Sequence, residues 1–155
     1  MVRSAPIPDL AVTGTTVPDG AEATADVTLE SVAGGISVAG AVEAPWDGVC
    51  RRCLAATSGT VRVPVRELYT VGGDGDETYP LHGDDVDLEP LTRDAVLLAL
   101  PLSPLCRPDC QGLCPSCGAD WNDGPCSCEP APDPRWAALD ILRGSEGGSE
   151  ADPLA

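Results

Sequence analysis

Residues 23–42 read ATADVTLESVAGGISVAGAV. Ala23, Ala25, Val27 and Leu29 alternate with Thr24, Asp26, Thr28 and Glu30, the period of two that marks a strand with one buried face. Gly34-Gly35 is a two-residue turn signal, and Ile36, Val38, Gly40 and Val42 alternate as the return strand. Pro45-Trp46-Asp47-Gly48 is expected to end that strand. A third strand is predicted over 60–69, where Val61, Val63 and Val65 alternate with Arg62 and Arg66. Pro64 has no N–H to give, which assigns this strand to a sheet edge or a bulge.

Outward from the hairpin the pattern changes. Residues 1–20 are rich in Pro, Thr and Gly and read as a flexible N-terminal arm. Residues 72–89 form an acidic loop carrying Asp74, Asp76, Glu77, Asp84, Asp85, Asp87 and Glu89, with Tyr79 and Leu81 as a short strand in its middle. After Pro90 a helix is predicted from Leu91 to about Leu100, stopped by Pro101, with Leu91, Ala95, Leu98 and Leu102 on its buried face. Residues 103–130 are dominated by Cys, Pro, Gly and Asp, too irregular to fold without a staple. Asp133-Pro134 then opens a short C-terminal helix to about Leu142, and 144–155 has the composition of a disordered tail. The fold class is α+β: a small antiparallel β-sheet, flat or curled into a barrel, a helix after Pro90, a Cys-rich zinc knuckle and a short helix. By this reading 21–102 is one α+β domain holding the Cys50/Cys53 knuckle and the acidic loop, and 103–143 is a metal-binding segment.

Composition narrows the function. Among 155 residues there are three Trp, two Tyr and no Phe, so the core is aliphatic. Nine Arg stand against 25 acidic residues, a net charge of −16. That field repels phosphate backbones, which excludes a general nucleic-acid binder driven by counterion release and favours basic partners. No apolar run approaches the ~20 residues of a membrane helix, and Met1–Leu10 lacks the apolar stretch of a signal peptide. A cytoplasmic protein is expected.

Eight cysteines carry the chemistry: Cys50-Arg-Arg-Cys53, Cys106 and Cys110, Cys114-Pro-Ser-Cys117-Gly118, and Cys126-Ser-Cys128. Two thiolates on one tight C-x-x-C turn can face a single metal while backbone N–H groups point at the sulfurs. All-sulfur tetrahedral coordination selects zinc or iron. The first-choice partition is Cys114, Cys117, Cys126 and Cys128 around one ion, leaving Cys50, Cys53, Cys106 and Cys110 for a second. The competing arrangement uses Cys106 or Cys110 in the C-terminal site, and spacing alone leaves both open. One or two structural zinc ions would supply folding energy to residues 103–130. The single histidine, His82, lies in the acidic loop and reads as a solvated side chain. No phosphate-binding loop, Ser/His/Asp set or EF-hand spacing is present, so no enzyme activity is expected. Arg51 and Arg52 place two positive charges on a turn of an acidic protein and are candidates for phosphate or carboxylate contact.

Four stretches give the chain a family resemblance. They are Cys50-Arg-Arg-Cys53-Leu54, Asp87-Leu-Glu-Pro-Leu91 with Arg93-Asp94, Leu100-Pro-Leu102 running through the cysteines to Trp121-Asn122, and Asp133-Pro-Arg-Trp-Ala-Ala-Leu139. Over roughly 25–143 the chain resembles the YceD family, the large ribosomal RNA subunit accumulation proteins. The resemblance implies a non-enzymatic role in accumulation of large-subunit (23S) ribosomal RNA. Genes of this family often neighbour that of a small basic ribosomal protein. A partner that is a basic ribosomal protein or large-subunit assembly factor fits the charge, with Asp74, Asp76, Glu77, Asp84, Asp85, Asp87, Arg51 and Arg52 as candidate contacts. Direct RNA contact through Arg51, Arg52, Arg62 and Arg66 must overcome the net field. Two alternatives share the cysteine pattern: a rubredoxin-like electron carrier and a structural zinc module that joins two proteins.

Overall fold

A computed structural model of the chain describes residues 1–73, 77–83, 85–128 and 134–139. Its strands are β1 (Val2–Pro6), β2 (Ala11–Val12), β3 (Thr15–Thr16), β4 (Glu22–Val32), β5 (Gly35–Val49), β6 (Ala56–Thr70) and β7 (Tyr79–Pro80), followed by α1 (Glu89–Ala99) and a 3-10 helix (Pro134–Leu139). The predicted hairpin is β4–β5, in the register Val27↔Gly40 and Leu29↔Val38. Its turn lies one residue earlier than expected, because Gly35 already pairs with Val32 and Gly34 takes the positive φ, +96°. Gly35 is packed so tightly against β6 that a Cβ there would collide with the Tyr69 carbonyl.

β5 runs through Pro45-Trp46-Asp47-Gly48 to Val49 instead of stopping there. On one side it pairs with β6 over its whole length; on the other it pairs with β4 up to Glu43 and with β3 from Asp47. Pro45 falls in the gap between those two partners, where the sheet tolerates a residue without N–H. Pro64 sits on β6, whose outer side is an edge, as its missing donor requires. Among the described residues β1 and β6 do not pair, so the sheet is open and does not close into a barrel.

The N-terminal arm is the main correction. Residues 1–20 are not loose: β1 pairs antiparallel with β4, β3 pairs with β5, and Ile7, Leu10, Thr15 and Val17 are buried. The Thr15 hydroxyl donates to the Pro101 carbonyl, 3.1 Å away. Short two-residue strands between prolines carry no readable period, yet they cover a sheet end that would otherwise be exposed.

One face of the sheet packs Ala25, Val27, Val38, Val42, Ala44, Val65 and Tyr69 against Leu91, Ala95, Val96 and Leu100 of α1 and its end. The buried stripe of α1 is Leu91, Thr92, Ala95 and Val96. Leu98 and Leu102, expected inside, are exposed. The run Ala95–Leu100 is apolar on every side, so periodicity could not choose the phase and the sheet did. The expected short C-terminal helix is a 3-10 helix over Pro134–Leu139, and residues 140–155, with the tail, lie outside the described residues.

Candidate metal centres

The β5–β6 connection and the segment after Leu113 fold into the same turn. The Cys50 N–H donates to the Ala55 carbonyl (2.8 Å) and the Leu54 N–H to the Cys50 carbonyl (3.0 Å). The Cys114 N–H likewise donates to Ala119 (2.8 Å) and the Gly118 N–H to Cys114 (2.9 Å). Both turns need a positive φ one residue after the second cysteine, met by Leu54 at +60° and Gly118 at +74°.

Cys50, Cys53, Cys106 and Cys110 come together with their sulfurs within 4.8 Å of one another, and Cys114, Cys117, Cys126 and Cys128 form a second such group. Cys106 and Cys110 both stand in the first group, so the competing partition is not the one adopted. The Cys50–Cys110 and Cys53–Cys106 sulfurs are 3.8 and 3.6 Å apart. A tetrahedron with Zn–S bonds of ~2.3 Å has S···S edges of ~3.8 Å, whereas a disulfide is ~2.05 Å. The first group's spacings therefore fit a tetrahedral metal ion, and the second group is close enough to hold one.

The first group is the more enclosed. Cys50, Cys53 and Cys110 are buried beneath Leu105 and Leu113. Three straps hold residues 104–113 against the knuckle: Arg51 N–H to Pro104 O (2.9 Å), Leu113 N–H to Arg52 O (3.1 Å), and the Arg52 guanidinium to Cys110 O (2.7 Å). Gly112, at φ +83°, lets the backbone approach, since a Cβ would lie 3.0 Å from the Arg52 carbonyl. In the second group only Cys114 is buried, and Cys117 is exposed.

Each group holds one thiol made acidic by its hydrogen bonds, beside two raised thiols in the first group and one in the second. The Cys53 N–H, then those of Cys106 and Arg52, pull Cys50 down to about 6 against its burial. Ala55 N–H and the Cys106 thiol stabilise the Cys53 thiolate, but burial and the thiols of Cys50 and Cys110 outweigh them and push Cys53 up. Its hydrogen bond with Cys53, then burial, pushes Cys106 up to about 12. In the second group the indole N–H of Trp121, 3.4 Å from the sulfur, lowers Cys126 to about 6, whereas the contact with Cys117 and burial raise Cys128 to about 12.

Residues missed by the sequence reading join the two groups. Asn122 follows the second knuckle, yet its side-chain N–H donates to Cys110 Sγ (3.4 Å) and to Asp120 (2.6 Å). Its oxygen accepts from Arg107 (2.7 Å) and from the Gln111 N–H (2.9 Å). The only signal was position: a polar side chain, Asn122, beside a knuckle.

Of the other candidate contacts, Arg52 is engaged by Cys110, and Arg62 pairs with Glu43 at 3.0 Å, whereas Arg51 and Arg66 are exposed. Asp87 caps the entry to α1, accepting the Glu89 N–H at 2.9 Å. Asp85 and His82 pair through their backbones, and neither joins a cysteine group. Glu77 is exposed, and Asp74, Asp76 and Asp84 lie outside the described residues. No described helix is long and apolar enough to cross a membrane.

Uncharacterised proteins of Mycobacterium tuberculosis and Mycobacterium bovis are each 41% identical over 128 residues, covering 78% of this chain and 62% of theirs. This chain thus spans less than two thirds of those relatives. A maize protein named "Large ribosomal RNA subunit accumulation protein YCED homolog 1, chloroplastic" is 36% identical over 53 residues, 34% of this chain and 18% of its own. No solved structure gives a significant match. The family described as "Large ribosomal RNA subunit accumulation protein YceD" matches residues 38–143, a stretch holding all eight cysteines, α1, β6, β7 and β5 from Val38. The chain belongs to the YceD family.

Proposed function

We propose that the protein is a non-catalytic ribosome-assembly factor that supports accumulation of large-subunit (23S) ribosomal RNA by binding a basic ribosomal protein or large-subunit assembly factor. Family membership carries this reading. The net charge of −16 selects the kind of partner, since a field of that sign attracts cationic proteins and repels RNA. The acidic residues of 74–87 and the exposed Arg51 are the proposed contacts, and the cytoplasm is the proposed place of action.

Each cysteine group holds one zinc ion in this reading, through Cys50, Cys53, Cys106 and Cys110 and through Cys114, Cys117, Cys126 and Cys128. The ions supply folding energy and no reaction step. Four thiolates on Zn²⁺ carry two net negative charges. Arg51, Arg52 and Arg107, next in sequence to three first-group cysteines, offset that charge.

The test is a sucrose-gradient ribosome profile from cells depleted of the protein, with the ratio of large- to small-subunit ribosomal RNA measured alongside. A falling ratio with accumulating large-subunit precursors is expected; a normal profile and ratio would sink the reading. The same knuckles suit iron, so the absorption spectrum decides the metal. A colourless protein containing zinc is expected, and a red one would put an electron carrier in its place.

A further inference from the structure

Among the described residues the outer side of β6 carries no strand from Ala56 to Leu68; β7 joins it only at Tyr69 and Thr70. Beside this edge runs a groove of about 390 Å³, with Val63 and Val65 of β6 on one wall and Leu91, Ala95 and Leu98 of α1 on the other. Leu98 is 89% exposed at its rim. A second cavity of about 410 Å³ continues the groove and shares Glu67, Tyr79, Asp94 and Leu98 with it.

The charged residues lining the two cavities are Glu67, Glu77 and Asp94, with no arginine among them. Arg93, next to Asp94 in sequence, is turned elsewhere, to Glu89 and the Pro8 carbonyl. Tyr79 stacks on Tyr69 with ring centroids 5.2 Å apart and donates its hydroxyl to Asp94 (2.9 Å), fixing that carboxylate at the rim.

An unpaired strand edge recognises extended backbone, a groove of Val and Leu accepts apolar side chains on one face of it, and a carboxylate rim takes cations between them. We propose that this groove docks an extended segment of a protein partner in which apolar residues alternate with Lys or Arg. A second copy of this chain is a poor occupant, because it would bring the same acidic rim and a net charge of −16 against this one. RNA is excluded by the same carboxylates. The proposal rests on the basic-partner reading above and assigns it a surface.

The probe is an array of overlapping 12-residue peptides tiling the basic large-subunit ribosomal proteins, bound to the full chain and to Leu98→Ser and Glu67→Gln/Asp94→Asn variants. All three positions sit on the groove surface, and circular dichroism checks that the variants fold. Wild type should retain peptides alternating apolar with Lys or Arg, and both variants should weaken those at least tenfold. High salt should weaken wild-type binding and leave less to lose in the charge variant. No bound peptide, or peptides bound equally by all three proteins, would overturn the groove. If full-length ribosomal proteins still bound both variants as tightly as wild type, the groove would also fall while the functional reading stood. A normal ribosomal RNA ratio in depleted cells combined with groove-dependent peptide binding would uphold the groove and defeat the assembly role.

Discussion

The side-chain amide of Asn122 reaches the sulfur of Cys110 at 3.4 Å, so a residue of the second knuckle's loop orients a cysteine of the first group. Such outer partners fix the direction of the ligand lone pair and offset thiolate charge, and losing one costs about 10–100-fold in metal affinity. Asn122→Ala should therefore weaken zinc at the first group by that factor. Chelator competition on the Cys117→Ser background, which disables the second group, isolates the effect. Unchanged affinity would reduce the contact to packing.

Leu54 occupies the backbone position that Gly118 fills in the equivalent turn, at φ +60° and +74°. A left-handed residue with a Cβ costs roughly 1–2 kcal/mol. Leu54 is 65% exposed, so little packing is lost on shortening it. Leu54→Gly should stabilise the metal-loaded protein by roughly 0.5–1 kcal/mol after the greater chain entropy of glycine is subtracted. Gly118→Leu should destabilise by a similar amount. Denaturant midpoints of the two variants decide it: the shifts must have opposite signs.

Leu10 is 2% exposed and packs with Ile7 and Val17 under the sheet. Leu10→Ala should cost about 2–5 kcal/mol, the range for a buried leucine that leaves a cavity. A side chain on a loose arm would cost under about 0.5 kcal/mol. Urea unfolding of the variant separates the two descriptions of residues 1–20.

The hairpin and the Pro64 edge were legible because period-two alternation and a missing N–H are local. So were the cysteine pairs, since the second group lies within 15 residues from Cys114 to Cys128. The first group followed from sequence only as the remainder, with a rival partition open, because Cys50 and Cys110 are 60 residues apart and β5 and β6 bring the first knuckle to the later segment. The strands of residues 1–20 escaped for the same reason: Val2 pairs with Asp26, and nothing near Val2 announces it. On α1, Leu91 and Ala95 were read correctly as buried, but Leu98 and Leu102 were not, because an all-apolar turn has no polar side to exclude.

Metal binding should depend on pH with a slope set by the thiols. Protons compete with the ion for every sulfur, so affinity falls as pH falls. Cys53 and Cys106 are raised and hold their protons at pH 7.5, whereas Cys50, lowered to about 6, is already thiolate there. Zinc entering the first group should therefore release fewer than four protons, and the count should rise below pH 6 as Cys50 takes up its own. Calorimetric titration of the Cys117→Ser variant in buffers of different ionisation enthalpy gives the count; four at pH 7.5 would refute the assignment of Cys50. At pH 5.5 with a chelator both ions should leave. Residues 103–128 then lose their staples: they hold no helix or strand, one isolated β-bridge, Leu113 with Asp120, and otherwise turn and side-chain hydrogen bonds. Their amide hydrogens should exchange freely while those of β4 and β5 stay protected by the aliphatic core. Equal protection of 103–128 with and without metal would show that this segment folds on other contacts.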